Sequence, residues 1–448
     1  MSVIDTDGTI GQLAGDNVSN PSQKTPIPPL IKRNTLYLAS SQAFIGAGGQ
    51  MVPTLGPVIV TQMIGNAALA GIGTSITGLS RLLIAYPIGR LTDAFGRKAG
   101  IILGLLLIGS GASITGLAAI WNYFPIFLLG ILVMGLGTGA VQQLRVAAAD
   151  MFPPNRRAEG LGYVLTGALV GALIGPVLIR ISELFADNVG LEPIALAWFL
   201  IPFVVMFSLV MILRVQPDPK QIAANLSDYY PGYALPETGP ATTGKVSILY
   251  FLNHYPKLAA FISMFCVQGN MNMMMAMTAL ALRRYDFSLS AISLSVAIHV
   301  MGMFGLSLPL GKLADKVGRR NVMLLGLALA SAGSWFTVAT PVYIVITTGT
   351  FLVGLGWSCV NIAATALYAD TTHPGERGRV IGANDTFTAA AAISMPIVGG
   401  VVVEYLGYRV LGFFGMAIML PALLFLLKLH EASPGVFEHS SDTKIAST

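Results

Sequence analysis

The feature of this sequence that most constrains its fold is a series of twelve apolar runs. Each run is close to the ~20 residues that a helix needs to cross ~30 Å of hydrocarbon. Backbone groups in lipid must be satisfied within their own segment, which predicts helices. Only 10% of the 448 residues are charged, against ~25% in soluble domains, so most of the surface must face lipid. The predicted spans are 36–60, 68–88, 99–119, 124–148, 161–183, 193–213, 258–281, 290–310, 321–339, 342–366, 382–403 and 408–429.

A long polar interruption at 214–257 divides these runs into six and six. We therefore expect an all-α polytopic membrane protein in which twelve transmembrane helices form two six-helix pseudo-repeats. The expected divisions are a disordered tail at 1–34, a first bundle at 35–214, a central loop at 215–257, a second bundle at 258–430 and a second tail at 431–448.

The lysines and arginines are distributed unequally between the two ends of the predicted helices. Most of the 26 fall at one end, Arg145 being counted among these loop residues, and the other end holds only Arg180, Arg283, Arg284 and Arg409. Because basic loops stay in the cytoplasm, this predicts a multi-pass protein of the cell membrane with both termini and the central loop cytoplasmic. The sequence contains no cluster of basic residues of the kind that binds nucleic acid, so it does not indicate a nucleic-acid partner.

Two charged stretches repeat at equivalent places in the two halves. "GRLTDAFGRKAG" begins at residue 89 and "GKLADKVGRRNV" begins 222 residues later, each between the second and third run of its half. A second pair, "DMFPPNRRAEGLG" from residue 150 and "DTTHPGERGRVIG" from residue 370, follows spans four and ten. The chain therefore contains two homologous bundles in the same orientation. Transporters place their central site at the interface of such repeats.

The pattern G-x-L-x-D-x-x-G-R-[RK] between spans two and three resembles the signature loop of the major facilitator superfamily. The resemblance covers nearly the whole chain beyond the N-terminal tail. The resemblance implies that these loops form a charge network that latches the outward-open state. The alternative interpretation is that the same residues are solvated turn charges. The implied latch residues are Gly89, Asp93, Gly96, Arg97, Asp150 and Arg157, and Gly311, Asp315, Gly318, Arg319, Asp370 and Arg377. Asp93 is also a candidate for the positive N-terminal end of a neighbouring helix.

Polar side chains within the spans are the candidate substrate site, because they are costly in lipid and usually face a cavity. Arg81 lies eight residues before Gly89, which is ~12 Å from the end of its helix. Its expected counter-charge is an anionic group on the substrate or Asp385. A buried structural arginine is the alternative. The candidate substrate-binding residues are Arg81, Gln142, Gln143, Gln268, Asn272, His299 and Asn361.

Two side chains within the spans are candidates for coupling to protons. Asp385 is the only acid well inside a span, and His299 lies near the middle of the membrane. Histidine titrates near neutral pH. The alternatives are a first-turn carboxylate at a helix start for Asp385 and a hydrogen-bonded packing residue for His299.

The stretch "VQGNMNMMMAM" in span seven holds five methionines and predicts either an adaptable apolar pocket or ordinary packing. Asn270 in this stretch marks a predicted break in the helix.

Taken together, these features predict a secondary transporter that moves a small solute by alternating access. No metal-ligand spacing, nucleotide-binding loop or nucleophile motif is visible, so we expect no enzyme activity, no metal and no cofactor. Efflux of drug-like or amphipathic compounds is the main prediction, and uptake or exchange of a small anionic metabolite is the alternative. A non-transporting membrane sensor is the second alternative. The expected partners are the substrate, a coupling proton and membrane lipid, and the expected state is a monomer.

Overall fold

The computed structural model describes residues 26–153, 156–230, 254–372, 377–433 and 436–437. Within these residues, twelve segments are long and apolar enough to cross a membrane, as predicted. We number them as spans one to twelve. Their bounds are Pro29–Ile64, Ala67–Phe95, Arg97–Trp121, Phe124–Asp150, Glu159–Val189, Pro193–Ala224, Tyr255–Arg284, Leu289–Val317, Arg319–Ala339, Tyr343–Thr371, Val380–Leu406 and Tyr408–Leu427.

Several spans consist of more than one helix. The helices of the first half are Pro29–Gly49, Met51–Ile64, Ala67–Leu69 (a 3₁₀ turn), Ile72–Phe95, Arg97–Trp121, Phe124–Ala140, Gln143–Asp150, Arg157–Val189 and Pro193–Arg214. Two short helices follow, Pro219–Ala224 and Leu226–Tyr229. Those of the second half are Tyr255–Arg284, Leu289–Phe304, Ser307–Val317, Arg319–Ala339, Tyr343–Asp370, Arg377–Leu406, Tyr408–Ala417 and Leu420–Leu427. The strands Glu431–Ser433 and Val436–Phe437 form a short antiparallel pair.

The first helix begins earlier than the sequence predicts, at Pro29 rather than near residue 35. Proline is favoured at the first position of a helix because its missing N–H needs no partner there. Arg33 and Asn34 each donate a side-chain hydrogen bond of 3.1 Å to the backbone oxygen of Gln216, which holds this polar turn against the end of span six. The rest of the expected tail, residues 1–25, lies outside the described residues, as do 231–253 of the central loop and 438–448.

The expected break at Asn270 is wrong, because span seven is one continuous helix from Tyr255 to Arg284. The Asn270 side chain is buried and donates a 2.9 Å hydrogen bond to Ser334 in span nine. The amide therefore has its hydrogen-bond partner in a neighbouring helix and does not interrupt its own helix. Span four does break, at Val141 and Gln142, between two separate helices.

The two bundles touch each other at one end of the molecule and separate toward the other. We call the end that carries Gly96 and Gly318 the motif face, and the other end the opposite face. Toward the opposite face, spans two and eleven are close: a Cβ built on Gly78 would lie 3.2 Å from Ile393 Cγ1.

The motif-face half differs at four glycines, although Gly96 and Gly318 there contact acids of their own bundle. A Cβ at any of the four repeat-related glycines would meet no atom within 4 Å. Among the described residues, the hydrogen bonds and glycine contacts that join the two bundles lie toward the opposite face, and none joins them at the motif face. The described part of the molecule is thus closed at the opposite face and open at the motif face. The four repeat-related glycines are Gly89, Gly162, Gly311 and Gly382.

Candidate functional site

Arg81 lies where the two bundles begin to separate. It lies one helical turn beyond Gly78, and its Cα and Cγ are 3.1 and 3.5 Å from the position that a Cβ on Gly139 of span four would take. Its side chain is exposed although it lies well inside the span. In the described part of the chain it has no hydrogen bond or ion pair. We call the space from Arg81 to the motif face the central groove, and Arg81 presents a free cation to it.

A second arginine, Arg145, joins this site although the sequence analysis counted it among the loop residues. Span four continues to Asp150, so Arg145 lies five residues inside its end. Its charge acts electrostatically on both Arg81 and Asp385. No ion pair links these three groups within the described chain. Asp385, one of the two expected counter-charges of Arg81, thus forms no ion pair with it in this structure, and an anionic group on the substrate stays a prediction.

The amides among the candidate residues differ in what they contact. Gln142 is exposed at the break in span four, while Gln143 and Asn361 are half-buried. Gln268 Oε1 accepts a 2.8 Å hydrogen bond from the Trp357 indole in span ten. The Asn272 amide donates to the Gln268 backbone oxygen, also at 2.8 Å. Gln142 is therefore the amide most open to a solute.

His299 does not reach the groove. It is only 2% exposed, and its Nδ1 lies 2.7 Å from the backbone oxygen of Thr350 in span ten. This geometry fits a hydrogen-bonded packing residue between spans eight and ten.

The methionines of span seven are also removed from the groove. All five are at most 8% exposed. Met273, Met274 and Met277 pack in a cluster with Ala70 of span two and with span eleven. They fill helix contacts and do not line an open pocket.

The charged loops form one ion network in each bundle. Arg97 Nε lies 2.8 Å from Asp150, and its Nη1 lies 3.4 Å from Asp93. The same atoms of Arg319 lie 3.0 Å from Asp370 and 2.7 Å from Asp315. The carboxylates of Asp93 and Asp315 remain 74% and 72% exposed. Each network lies within a single bundle and is formed while the motif face is open.

The arginines of the second repeated motif are not part of these networks. Arg157 is exposed and makes no hydrogen bond or ion pair within the described residues. Its neighbour Arg156 instead pairs with Glu159, at 2.9 Å. The Arg377 side chain lies outside the described residues. Asp150 and Asp370 are thus the parts of this motif that contact the loops.

Two acids that sequence reasoning missed complete the loops. Asp218 accepts hydrogen bonds of 3.0 Å from the N–H groups of Arg97 and Lys98, at the start of span three. Glu431 accepts 2.8 Å bonds from Arg319 and Arg320, at the start of span nine. Asp218, and not Asp93, therefore occupies the start of span three, and a contact of Asp93 with the N-terminal end of another helix stays a prediction.

A sequence signal for these acids did exist. Each follows the last residue of the long helix before it, Arg214 or Leu427, by four positions.

The second basic residue of each loop motif, Lys98 or Arg320, binds the C-terminal end of the helix that precedes the acid. Lys98 Nζ donates to the Leu213 backbone oxygen at 3.3 Å, and Arg320 Nε donates to that of Leu426 at 2.8 Å. Cations are favoured at the C-terminal ends of helices, where carbonyl groups lack partners. The motif thus ties spans three and nine to spans six and twelve.

The chain matches the family model described as Major Facilitator Superfamily over residues 38–269 and 259–445. Among curated relatives, an uncharacterized MFS-type transporter, YddS of Bacillus subtilis (strain 168), is 26% identical over 87% of this chain and 89% of its own. The riboflavin transporter RfnT of Brucella anthropi is 27% identical over 79% and 85%. The multidrug resistance protein MdtG of Dickeya zeae is 25% identical over 85% and 90%.

The fold is also that of a solved transporter. The crystal structure of the nucleoside transporter NupG superimposes with a TM-score of 0.66 and covers 89% of this chain and 99% of its own, at 14% identity. Twelve spans, two repeated bundles and the loop motif in each half agree with the family match. The chain belongs to the Major Facilitator Superfamily and is one of its secondary transporters.

Proposed function

We propose that this transporter carries a small solute with an anionic group through the central groove, by alternating access. The observation that carries the proposal is Arg81, which is exposed to the groove and has no partner in the described chain. A charge at the bilayer centre costs ~2.5–3.5 kcal/mol on insertion scales. A solute carboxylate or phosphate would offset that cost, and Arg145 adds a second positive charge.

Efflux of drug-like compounds remains the second candidate. The relatives named multidrug resistance protein MdtG favour it. The burial of the span-seven methionines removes the adaptable pocket that the sequence indicated. The geometry of the groove therefore favours the anionic solute.

We also propose that the motif face is cytoplasmic. The support is the concentration of lysine and arginine in the segments at that end, since cytoplasmic loops carry the excess of basic residues. Both termini and the central loop would then be cytoplasmic.

A ligand panel tests the anionic substrate. Purified protein is melted in detergent with monocarboxylates, dicarboxylates, organophosphates and amphipathic cations, and each hit is assayed for counterflow in proteoliposomes. A ligand at 100 times its Kd stabilises by ~2.7 kcal/mol, so an anionic hit should raise Tm clearly. Stabilisation by amphipathic cations alone, with counterflow of those compounds, would establish efflux instead.

The same proteoliposomes test coupling through Asp385, which we propose as the proton carrier. A protonophore should abolish accumulation of the anionic hit while leaving exchange intact, and Asp385→Asn should be insensitive to the protonophore. Wild-type accumulation that survives the protonophore would assign the coupling to another ion, or to none.

We propose that the two loops latch the motif face when it closes. The ion pairs of Arg97 and Arg319 stay within their own bundles, so they shape the loops without joining the bundles. The exposed carboxylates of Asp93 and Asp315 are the groups free to meet the opposite bundle.

Asp93→Asn should lower turnover about tenfold, which corresponds to ~1.4 kcal/mol, with Tm unchanged because the carboxylate is largely exposed. Asp228→Asn, an exposed acid on a short helix of the central loop, is the matched control and should transport normally. Wild-type turnover by correctly inserted Asp93→Asn protein would remove the latch.

A further inference from the structure

Two glutamates at the opposite face each accept a hydrogen bond from the backbone of the other bundle. Glu183, near the end of span five, accepts a 3.1 Å bond from the Ser290 N–H at the start of span eight. Glu404, near the end of span eleven, accepts a 2.9 Å bond from the Ala67 N–H at the start of span two. Each bundle therefore provides one carboxylate and receives one.

The internal repeat relates the two contacts. Glu183 and Glu404 are 221 residues apart, and Ala67 and Ser290 are 223 apart, close to the 222-residue offset of the loop motifs. Neither glutamate belongs to a motif that the sequence analysis identified. The same contact has thus been built twice, in the two positions that the repeat makes equivalent.

The two receiving helix starts are also built alike. Ser288 caps the first by accepting from the Ala291 N–H at 3.2 Å, and Asn66 caps the second by accepting from the Ala68 N–H at 2.6 Å. In each case the glutamate takes a neighbouring N–H that the cap does not use. The glutamate therefore provides an acceptor for a backbone N–H that the capping residue leaves unpaired.

Both bonds are charge-assisted but they differ in burial: the Glu404 bond is exposed and the Glu183 bond is half-buried. The first N–H groups of a helix lack intrahelical partners and lie at the positive end of its dipole. A carboxylate that accepts from them makes a charge-assisted hydrogen bond. Glu183 is 14% exposed and is also paired with Arg180 at 3.3 Å, so its orientation is fixed.

The contacts lie at the end where alternating access requires the bundles to part. Below Glu183, spans five and eight meet through an apolar cluster of Ala172, Ala297 and Val300. Near Glu404, a pocket of about 520 Å³ is open between the bundles. Opening the opposite face must break both hydrogen bonds and expose the apolar cluster.

We propose that Glu183 and Glu404 are positioning residues of the transport cycle that hold the opposite face closed while the groove is open to the motif face. Each acts on the start of a helix in the other bundle and neither touches the central groove. The role is independent of the substrate, so its test needs none.

Alkylation of a buried reporter cysteine measures opening of this face. Ala297→Cys is introduced into Cys266→Ala protein, and Cys359 is kept as an internal control. Both reporter positions are fully buried here. The detergent-solubilised protein reacts with a polar maleimide, and peptide mass spectrometry follows the two cysteines separately. Opening exposes Ala297→Cys at the bundle interface, whereas only loosening of the second bundle exposes Cys359.

Glu183→Gln and Glu404→Gln should each speed labelling of Ala297→Cys about threefold, and the double variant about tenfold, which equals ~1.4 kcal/mol. Glu183→Asp keeps the charge but shortens the side chain, so it should resemble Glu183→Gln. Glu192→Gln, an exposed acid on the same face, should label like the parent. Cys359 should stay unlabelled throughout.

Unchanged labelling in the double variant would overturn the proposal. Equal acceleration at Cys359 would also overturn it, because the glutamates would then support the fold rather than one conformation. An Asp variant at position 183 that labels like the parent would show that net charge, and not the hydrogen bond, is what matters.

Discussion

Arg81→Gln is expected to bind an anionic substrate about 10- to 100-fold more weakly than the wild type. Hydrogen bonds to charged groups are worth ~1.5–3 kcal/mol, and ~1.4 kcal/mol is a factor of ten. Arg81→Lys keeps the charge but loses the planar fork that grips a carboxylate with two bonds, so it should lose less. Calorimetric titration of the anionic hit from the ligand panel measures the Kd of each variant.

Stability separates this role from a structural one. Because Arg81 has no partner in the described chain, Arg81→Gln should melt without ligand at or above the wild-type temperature. The matched control is Arg409→Gln, which removes an exposed arginine at the start of span twelve and should leave both Kd and Tm unchanged. A lowered Tm with unchanged anion affinity would make Arg81 a structural residue and would contradict the proposed substrate class.

The spans and the ion networks could be predicted from the sequence because both are local or repeated. Hydropathy over ~20 residues is a property of each segment alone. Asp150 and Asp370 were assigned to the loops because their spacing recurs in the two halves, and the structure brings each within 3.0 Å or less of the loop arginine. The repeat thus allowed us to predict which loops are neighbours in space.

The arrangement of the groove depends on rotation of each helix about its axis, which the sequence leaves open. Polar and apolar residues are spread around span seven with almost no asymmetry, so no periodicity showed that its methionines face other helices. Arg145 was counted with the loop residues although the predicted span, 124–148, includes it, because a basic residue close to the end of a span is ordinarily a cytoplasmic charge. Asp218 lies 120 residues from Lys98 in the chain, and only the folded bundle brings them together.

The largest effect on stability is expected at Gly96, which holds the Asp218 carboxylate against the start of span three. Its φ is +93° and its ψ is 166°, a region that only glycine occupies without strain. A Cβ there would also lie 2.7 Å from Asp218 Oδ2. Gly318 is equivalent, with φ +94° and a Cβ position 2.7 Å from Glu431 Oε2. Glycine is needed here for both backbone angle and space.

Gly96→Ala should lower the free energy of unfolding by ~2–4 kcal/mol, combining ~1–3 kcal/mol of backbone strain with ~0.5–2 kcal/mol for the lost cap. The readout is Tm in detergent. Gly89→Ala is the control in the same motif: its added methyl group meets no atom within 4 Å, and alanine favours a helix interior by ~0.5–1 kcal/mol. It should melt at or slightly above the wild-type temperature.

A double variant tests whether Gly96 and Asp218 act on each other. Asp218→Ala removes the acceptor and should cost ~0.5–2 kcal/mol by itself. In Gly96→Ala/Asp218→Ala the added methyl group no longer meets a carboxylate, and the cap cannot be lost twice. The double variant should therefore lose about 1 kcal/mol less stability than the sum of the two single losses. Gly318→Ala with Glu431→Ala should show the same shortfall in the second bundle. Strict additivity in both halves would mean that the glycines serve the backbone alone and that the carboxylates are not held by them.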